Sequence, residues 1–359
     1  MAVGIICFWD RYATPYVTKY EEILTANGIS YDVILWERNA ERTNQFKDTD
    51  IVIHLPVSEK KTEKLLAMML WKKQVLDIIK KKKYSKLIIL STSPGILLEH
   101  YLIKHFKGNY IFDIRDYTYE LFKLYFKIEK KVINNSAFTT ISSKGFESWL
   151  PKHEYIINHN ITHSGISNCH AKDLQRIRPL IFSFIGNLRL YEGTYNLLLA
   201  LKDTEWIHQT FVGREICGKH LEKIKTEHQI TNLTIEGPFE HEKKPSVYEN
   251  VHFVNSAYGS TDKIVKIVVD TAISNKLYDA ATFRCPIVAT TGTYLAEQIA
   301  CYGLGFSIDY DARNAQQAFE DYLGQYDPSI FEKNCIKFLA DVEEDEKKFA
   351  KKVADFCNN

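Results

Sequence analysis

Short apolar runs alternate with stretches of helical period along the first half of the chain. Residues 3–8, 31–36, 51–54, 86–90, 110–114, 137–141 and 155–157 are rich in Ile, Val, Tyr and Phe and read as strands. Between them lie amphipathic stretches such as 17–27, ended by Gly28, and 62–82. Such βαβ alternation makes a parallel, doubly wound sheet, because each crossover helix returns over one sheet face. After a polar linker around 163–172 the alternation restarts. Strands are expected at 180–185, 208–212, 233–236, 251–254, 264–269, 287–289 and 305–308, and helices at 194–202, 218–228, 275–282 and 294–301. The fold class is α/β: two Rossmann-like, doubly wound parallel-sheet halves facing across a cleft. A long charged helix at 331–356 closes the chain and is expected to pack back across the domain boundary.

At 359 residues the chain is long for one core, so two domains of roughly 150–200 residues are the natural division. The expected limits are 1–170, 171–340 and a returning helix at 341–359. Hydrophobic residues make up 45% and charged residues 25%, the balance of a globular protein. No apolar run reaches the ~18 residues a spanning helix needs, and the start reads as a first strand instead of a signal peptide. The expected location is cytoplasmic. Seven scattered cysteines show no C-x-x-C and no histidine at ligand spacing, so structural metal and disulfides are not expected. Charge alters the picture further. Residues 1–170 hold 24 Lys and Arg against 18 Asp and Glu, and the remainder holds 22 against 27. The basic first half points toward an anionic surface, with a membrane as the candidate. Near-neutral overall charge and the lack of a binding motif argue against nucleic acid.

Candidate chemistry concentrates late in the chain. Ser274-Asn275-Lys276-Leu277-Tyr278-Asp279 opens a short helix, and Pro286-Ile287-Val288-Ala289 with Gly292 forms the strand and turn after it. A Ser or Asn cap leaves backbone N–H groups at the positive helix end for a phosphate, Lys276 adds a cation, and Asp279 can accept ribose hydroxyls. Ile185-Gly186-Asn187-Leu188-Arg189 ends the first strand of the second half, where Gly186 lets backbone approach a ligand and Arg189 can clamp a phosphate. The plain alternative is a βα turn with a solvated Arg. Gly213-Arg214 repeats the pattern one strand later, as the weaker candidate for the same task.

A strand-Gly-x-x-Arg early in the second domain, followed by Asn275-Lys276-Leu277-Tyr278-Asp279-Ala280 and Pro286-Ile287-Val288-Ala289, resembles the donor half of GT-B glycosyltransferases. The closest resemblance is to the retaining family 4 type of bacterial capsule and cell-surface polysaccharide biosynthesis. It covers nearly the whole chain in order and is specific only at these blocks. The resemblance implies a nucleotide-sugar donor, UDP- or GDP-linked, and a glycan or lipid-linked acceptor at the inner membrane face. In the family's E-x7-E motif the second acid binds the ribose. Asp279 takes that position, and Thr271 stands where the first acid belongs. The family's Lys after the early Arg is also absent, with Glu192 nearby. These departures assign the block to binding before catalysis. They motivate two alternatives: a non-catalytic GT-B-like protein that binds a glycan or partner, and a GT-B-fold sugar-nucleotide epimerase.

In the first half, Phe112-Asp113-Ile114-Arg115-Asp116 resembles an E-x-R-D block at the family's cleft, which makes Asp113, Arg115 and Asp116 the catalytic-side candidates. The plain reading is an Arg115–Asp pair pinning a loop. Arg11 and Thr14, after the first strand, are placed on the acceptor side. No G-x-G-x-x-G follows that strand, which argues against a dehydrogenase. Asp48-Thr49-Asp50 precedes its strand instead of following it and reads as a turn, so transfer is expected to be metal-independent and to need no cofactor. The basic amphipathic stretch 62–82 fits an anionic membrane as well as a helix covering a sheet, and its apolar face is read as the sheet-facing side. The stretch 119–131, with Phe122, Tyr125 and Phe126 among lysines, is another candidate surface.

Overall fold

The computed structural model describes residues 2–38, 46–57, 60–161, 169–215 and 220–358. Its chain forms two compact units, one made of Met1–Asn160 and Glu344–Asn359, the other of Ile161–Glu343. The first unit thus ends at 160, where the sequence pattern places the limit at 170. The expected linker falls largely on 162–168, outside the described residues.

The first unit is built on seven parallel strands: β1 (Val3–Cys7), β2 (Tyr31–Glu37), β3 (Ile51–His54), β4 (Lys86–Leu90), β5 (Tyr110–Ile114), β6 (Phe138–Ile141) and β7 (Tyr155–Ile157). They lie in the order β3-β2-β1-β4-β5-β6-β7. Helix α1 (Val17–Ala26) joins β1 to β2, whereas α2 (Lys61–Lys82), α3 (Thr92–His105) and α4 (Lys123–Asn135) carry the chain in the opposite direction. Right-handed crossovers therefore place α1 on one face of the sheet and α2, α3 and α4 together on the other. Side chains alternate to match. Val3, Ile5 and Cys7 pack with Val17, Tyr20 and Leu24 of α1. Phe8 points the other way, its ring 4.9 Å from Trp71 of α2 and 5.0 Å from Trp36.

Helix α2 departs from its expected orientation. Ala67, Trp71, Val75 and Ile79, spaced four apart, are its buried residues. Leu65, Leu66, Met69 and Leu70 are exposed instead. Its apolar residues wrap around the helix, so only one four-residue row can reach the sheet.

The second unit holds β8 (Leu180–Ile185), β9 (Ile207–Val212), β10 (Leu233–Glu236), β11 (Phe253–Ser256), β12 (Ile287–Thr290) and β13 (Gly305–Ile308). All are parallel, in the order β10-β9-β8-β11-β12-β13. Its helices are α5 (Glu192–Ala200), α6 (Leu221–Glu227), α7 (Lys244–Glu249), α8 (Lys263–Thr271), α9 (Lys276–Thr282), α10 (Tyr294–Tyr302) and α11 (Ala315–Gln325). The run at 264–269, expected as a strand for its Ile and Val content, is helix α8. Asp262 caps it by accepting from the amides of Ile264 and Val265, and Lys266 pairs with Asp270 one turn on at 2.8 Å. Capping and helical spacing override β-branched propensity there. The expected helix 218–228 begins partly at 216–219, outside the described residues, and α6 starts at Leu221.

The final helix, α12, is continuous from Pro328 to Asn358. From Glu344 onward it belongs to the first unit. There Phe349 packs edge-on against Tyr20 at 5.3 Å, and Glu346 pairs with Lys19 at 2.5 Å.

Candidate functional site

Strand order reverses at β8/β11 in the second unit, and ligands of open parallel sheets bind outside the carboxyl ends at such a point. Two glycines shape this edge. Gly213 sits at φ 145°, and a Cβ there would lie 1.8 Å from the carbonyl oxygen of Gly186. Only glycine lets β8 and β9 end so close together. The Leu188 amide then donates to the Arg214 carbonyl at 2.9 Å, so the chain segments carrying Arg189 and Arg214 leave the sheet side by side. Both arginines are exposed.

From the other side of the switch point comes the loop after β11. The Gly193 amide donates to Gly259 O at 3.0 Å, and Thr194 Oγ1 to Ala257 O at 2.8 Å. Glu192 accepts from the Thr261 amide (2.9 Å) and hydroxyl (2.8 Å). Its carboxylate holds the loop.

Lys276 reaches this edge from the first turn of α9. Its ammonium lies 3.7 Å over the Phe184 ring of β8 and 4.8 Å from the Tyr258 ring, and it donates to the Tyr258 hydroxyl. The residue is 7% exposed. No carboxylate among the described residues pairs with it. A buried cation with only π faces and a hydroxyl around it is electrostatically open to an anion.

The rest of the α9 start differs from its expected role. Ser274 Oγ accepts from the Lys276 amide at 3.3 Å, and the amides of Leu277 and Tyr278 donate to Ser274 O and Asn275 O. These three N–H groups are spent inside the turn, so the cap does not present them to a ligand. Asn275 is exposed and makes no side-chain cap. The Leu277 side chain is wholly buried in the unit's core. Asp279 is bound by Lys244 at 2.9 and 3.1 Å and by the Tyr248 hydroxyl at 3.4 Å. Thr271 ends α8 with its hydroxyl donating to Ile267 O at 2.7 Å. Sequence reasoning missed Lys244, Tyr248 and Tyr258, which lie 18 to 35 residues from their partners. The sole local signal was the Tyr258-Gly259 pair just past a strand.

The first unit gathers its candidates differently. Arg115 Nε and Nη2 each lie 2.7 Å from an Asp113 carboxylate oxygen, a two-pronged pair. Nη1 donates to Asn158 O at 3.0 Å and Asn160 Oδ1 at 2.7 Å, and Tyr16 lies under the guanidinium at 4.2 Å. Tyr20 donates to the same carboxylate at 2.7 Å. Asp113 is 0% and Arg115 4% exposed. Burial opposes the Arg115 charge, but Asp113, with Tyr20 and Tyr16 adding to it, holds the guanidinium above its ordinary range. The geometry is that of the loop-pinning pair, and Asp116 alone of the three is exposed. Arg11 is gripped by Asp50 (2.5 and 2.7 Å) and Glu21 (2.7 and 2.9 Å), which accounts for the Asp48–Asp50 turn and leaves Arg11 no free edge for an acceptor. Thr14 is buried. Neither Arg11 nor Thr14 lines an open surface, because compensation and burial have used both.

Among the described residues no cluster of three or more His, Cys, Asp or Glu is placed to hold a metal. No helix there is long and apolar enough to cross a membrane.

No family model and no curated protein matches the chain. Solved structures do. Sucrose-phosphate synthase from Thermosynechococcus elongatus is similar at TM-score 0.68 and 12% identity, over 98% of this chain and 94% of that one. HepE from Anabaena, in complex with UDP, is similar at TM-score 0.68 and 13% identity, over 99% and 100%. A glycosyltransferase from Rickettsia africae gives 0.65 and 12%, over 100% and 99%. At such identities the likeness is one of fold, and it agrees with the two parallel sheets: the chain has the two-domain α/β architecture of GT-B proteins.

Proposed function

We propose that the chain is a glycosyltransferase that moves a sugar from a nucleoside diphosphate to a hydroxyl of a lipid-linked surface glycan, with retention and without a metal. The observation that carries this reading is Lys276, a buried cation at the β8/β11 switch point with which no carboxylate among the described residues pairs. Arg189 and Arg214, exposed at the same edge, supply further charge for a diphosphate. HepE, similar in fold, binds UDP, which supports a uridine nucleotide as the first donor to test.

In this reading Lys276 and the two arginines neutralise the leaving diphosphate, Gly186 admits its backbone-side oxygens, and Ser274 and Asn275 border it. Asp279 and Lys244 together take the ribose diol, one accepting and one donating. The bond from the anomeric carbon to the diphosphate oxygen breaks, the acceptor oxygen bonds on the same face, and its proton passes to the leaving phosphate. No separate base is then required. Asp116 would touch the acceptor, with Asp113 and Arg115 as positioning residues behind it. The protein works at the cytoplasmic face of a membrane.

Calorimetric titration with UDP, GDP, ADP and TDP tests the site, and absence of binding by all four would overturn it. Hydrolysis across a panel of sugar nucleotides then identifies the sugar. Thr271 motivates a second reading, a glycan- or partner-binding protein without turnover. Nucleotide binding with no hydrolysis or transfer from any donor in the panel would favour it.

A further inference from the structure

Large hydrophobic side chains on the surface are concentrated at one place. Ten of the fourteen exposed ones among the described residues lie at the carboxyl edge of the first unit's sheet. Leu65, Leu66, Met69 and Leu70, 42–61% exposed, occupy the first three turns of α2. Tyr119, Leu121, Phe122 and Leu124, 54–70% exposed, lead into α4. Trp9 and Tyr12 follow β1 at the same edge. Helices α2 and α4 share a sheet face and both pack against α3, so their starts, Lys61 and Lys123, meet one rim although they are far apart in the chain.

The polar residues around this rim are mostly cationic. Lys61 and Lys64 flank the α2 leucines, and Lys123 and Lys127 are exposed in the first turns of α4, while Lys131 further along pairs with Glu99 at 3.3 Å. The one carboxylate of α4, Glu129, is buried. Among the described residues, Glu63, paired with Lys60 at 3.3 Å, and Asp116 are the exposed acids nearby.

We propose that this rim is a docking surface for a bilayer containing anionic lipids. Apolar side chains enter the acyl boundary while the lysines meet lipid phosphates, the division of labour of an interfacial helix pair. The charge selects an anionic bilayer over a neutral one, and the apolar residues distinguish it from a purely electrostatic contact. The assignment deepens the lipid-linked acceptor of the proposed function and rests on that reading.

Sedimentation of the full chain with phosphatidylcholine vesicles, with and without phosphatidylglycerol, tests it. Binding is expected with phosphatidylglycerol and weakens in high salt. Replacing Leu65, Leu66, Phe122 and Leu124 together by Ser is expected to lower binding about tenfold or more. Each of Lys123→Gln and Lys127→Gln costs about fivefold. The replaced side chains are exposed, so an unchanged melting curve keeps the comparison sound. Equal binding to both vesicles, or a Ser variant that binds as well as the parent, would overturn the proposal. So would a parent dimer that the Ser variant abolishes, which would give the rim to a second copy. Vesicle binding without any UDP binding upholds the docking surface and overturns only the donor site.

Discussion

Asp113–Arg115 and Lys276 both stand buried at the carboxyl edge of a parallel sheet, yet their charges are handled in opposite ways. In the first unit the guanidinium meets a carboxylate through one hydrogen bond and a second ion-pair contact, two carbonyl-type acceptors and a ring, and Tyr20 donates to the same carboxylate. In the second the ammonium meets two rings and a hydroxyl. A buried pair whose members satisfy each other is scaffold, because desolvation is offset inside the fold. A buried cation left with polarisable neighbours only is unfinished until an anion arrives. Burial and a charged motif were common to both regions in the sequence. Compensation separates them.

The largest expected effect breaks the compensated side. Asp113→Ala strands Arg115 and is expected to lower stability by about 3–5 kcal/mol in urea unfolding. A loss near zero would remove the distinction drawn here. On the other side, Lys276→Met is expected to change stability by no more than about 1 kcal/mol, since it removes an uncompensated charge. It is expected to weaken UDP binding by roughly tenfold to a hundredfold in calorimetry. A third test uses another uncompensated group. Both oxygens of Glu129 are buried without a hydrogen-bond partner, and burial, with Glu120 adding to it, pushes its carboxyl up to about 9. The folded state therefore holds one proton more than the unfolded state between the ordinary carboxyl range and about 9. Stability should fall as pH rises through that window, by up to about 1.4 kcal/mol per pH unit, and level off above it. Glu129→Gln should flatten that slope in melts between neutral and alkaline pH. The smallest effect concerns Lys244. Lys244→Ala frees Asp279 and is expected to weaken UDP binding by about threefold to tenfold, with a smaller loss for 2′-deoxy-UDP. Equal losses for both nucleotides would count against ribose reading by the pair.

Much of the fold was legible because strand periodicity is a local property. Strands 51–54, 86–90, 110–114, 155–157, 180–185, 233–236 and 305–308 agree with the sequence pattern to the residue. The failure at 264–269 came from trusting β-branched content over Asp262, whose capping bonds decide the element. Helix α2 was legible as a helix but not in its orientation, since apolar residues on all sides give no local sign of which row meets the sheet. In the site, Lys276 and Asp279 were legible as a motif. Their neighbours were not. Tyr258 and Lys244 come from other βα loops, and pairing across loops leaves no periodic trace in the chain.

By itself the sequence determined that two parallel α/β units would form, that Gly186 and Gly213 would end adjacent strands, and that a cation and a carboxylate would open α9. These follow from backbone preference and side-chain period, which act over a few residues. Only the tertiary structure decided which charges are spent and which remain open. Arg11, Asp113 and Arg115 are neutralised by partners that folding brings to them, while Lys276 is carried to a switch point with aromatic company. The Coulomb energy of a side chain depends on what lies within a few ångströms in space, and sequence distance does not record that.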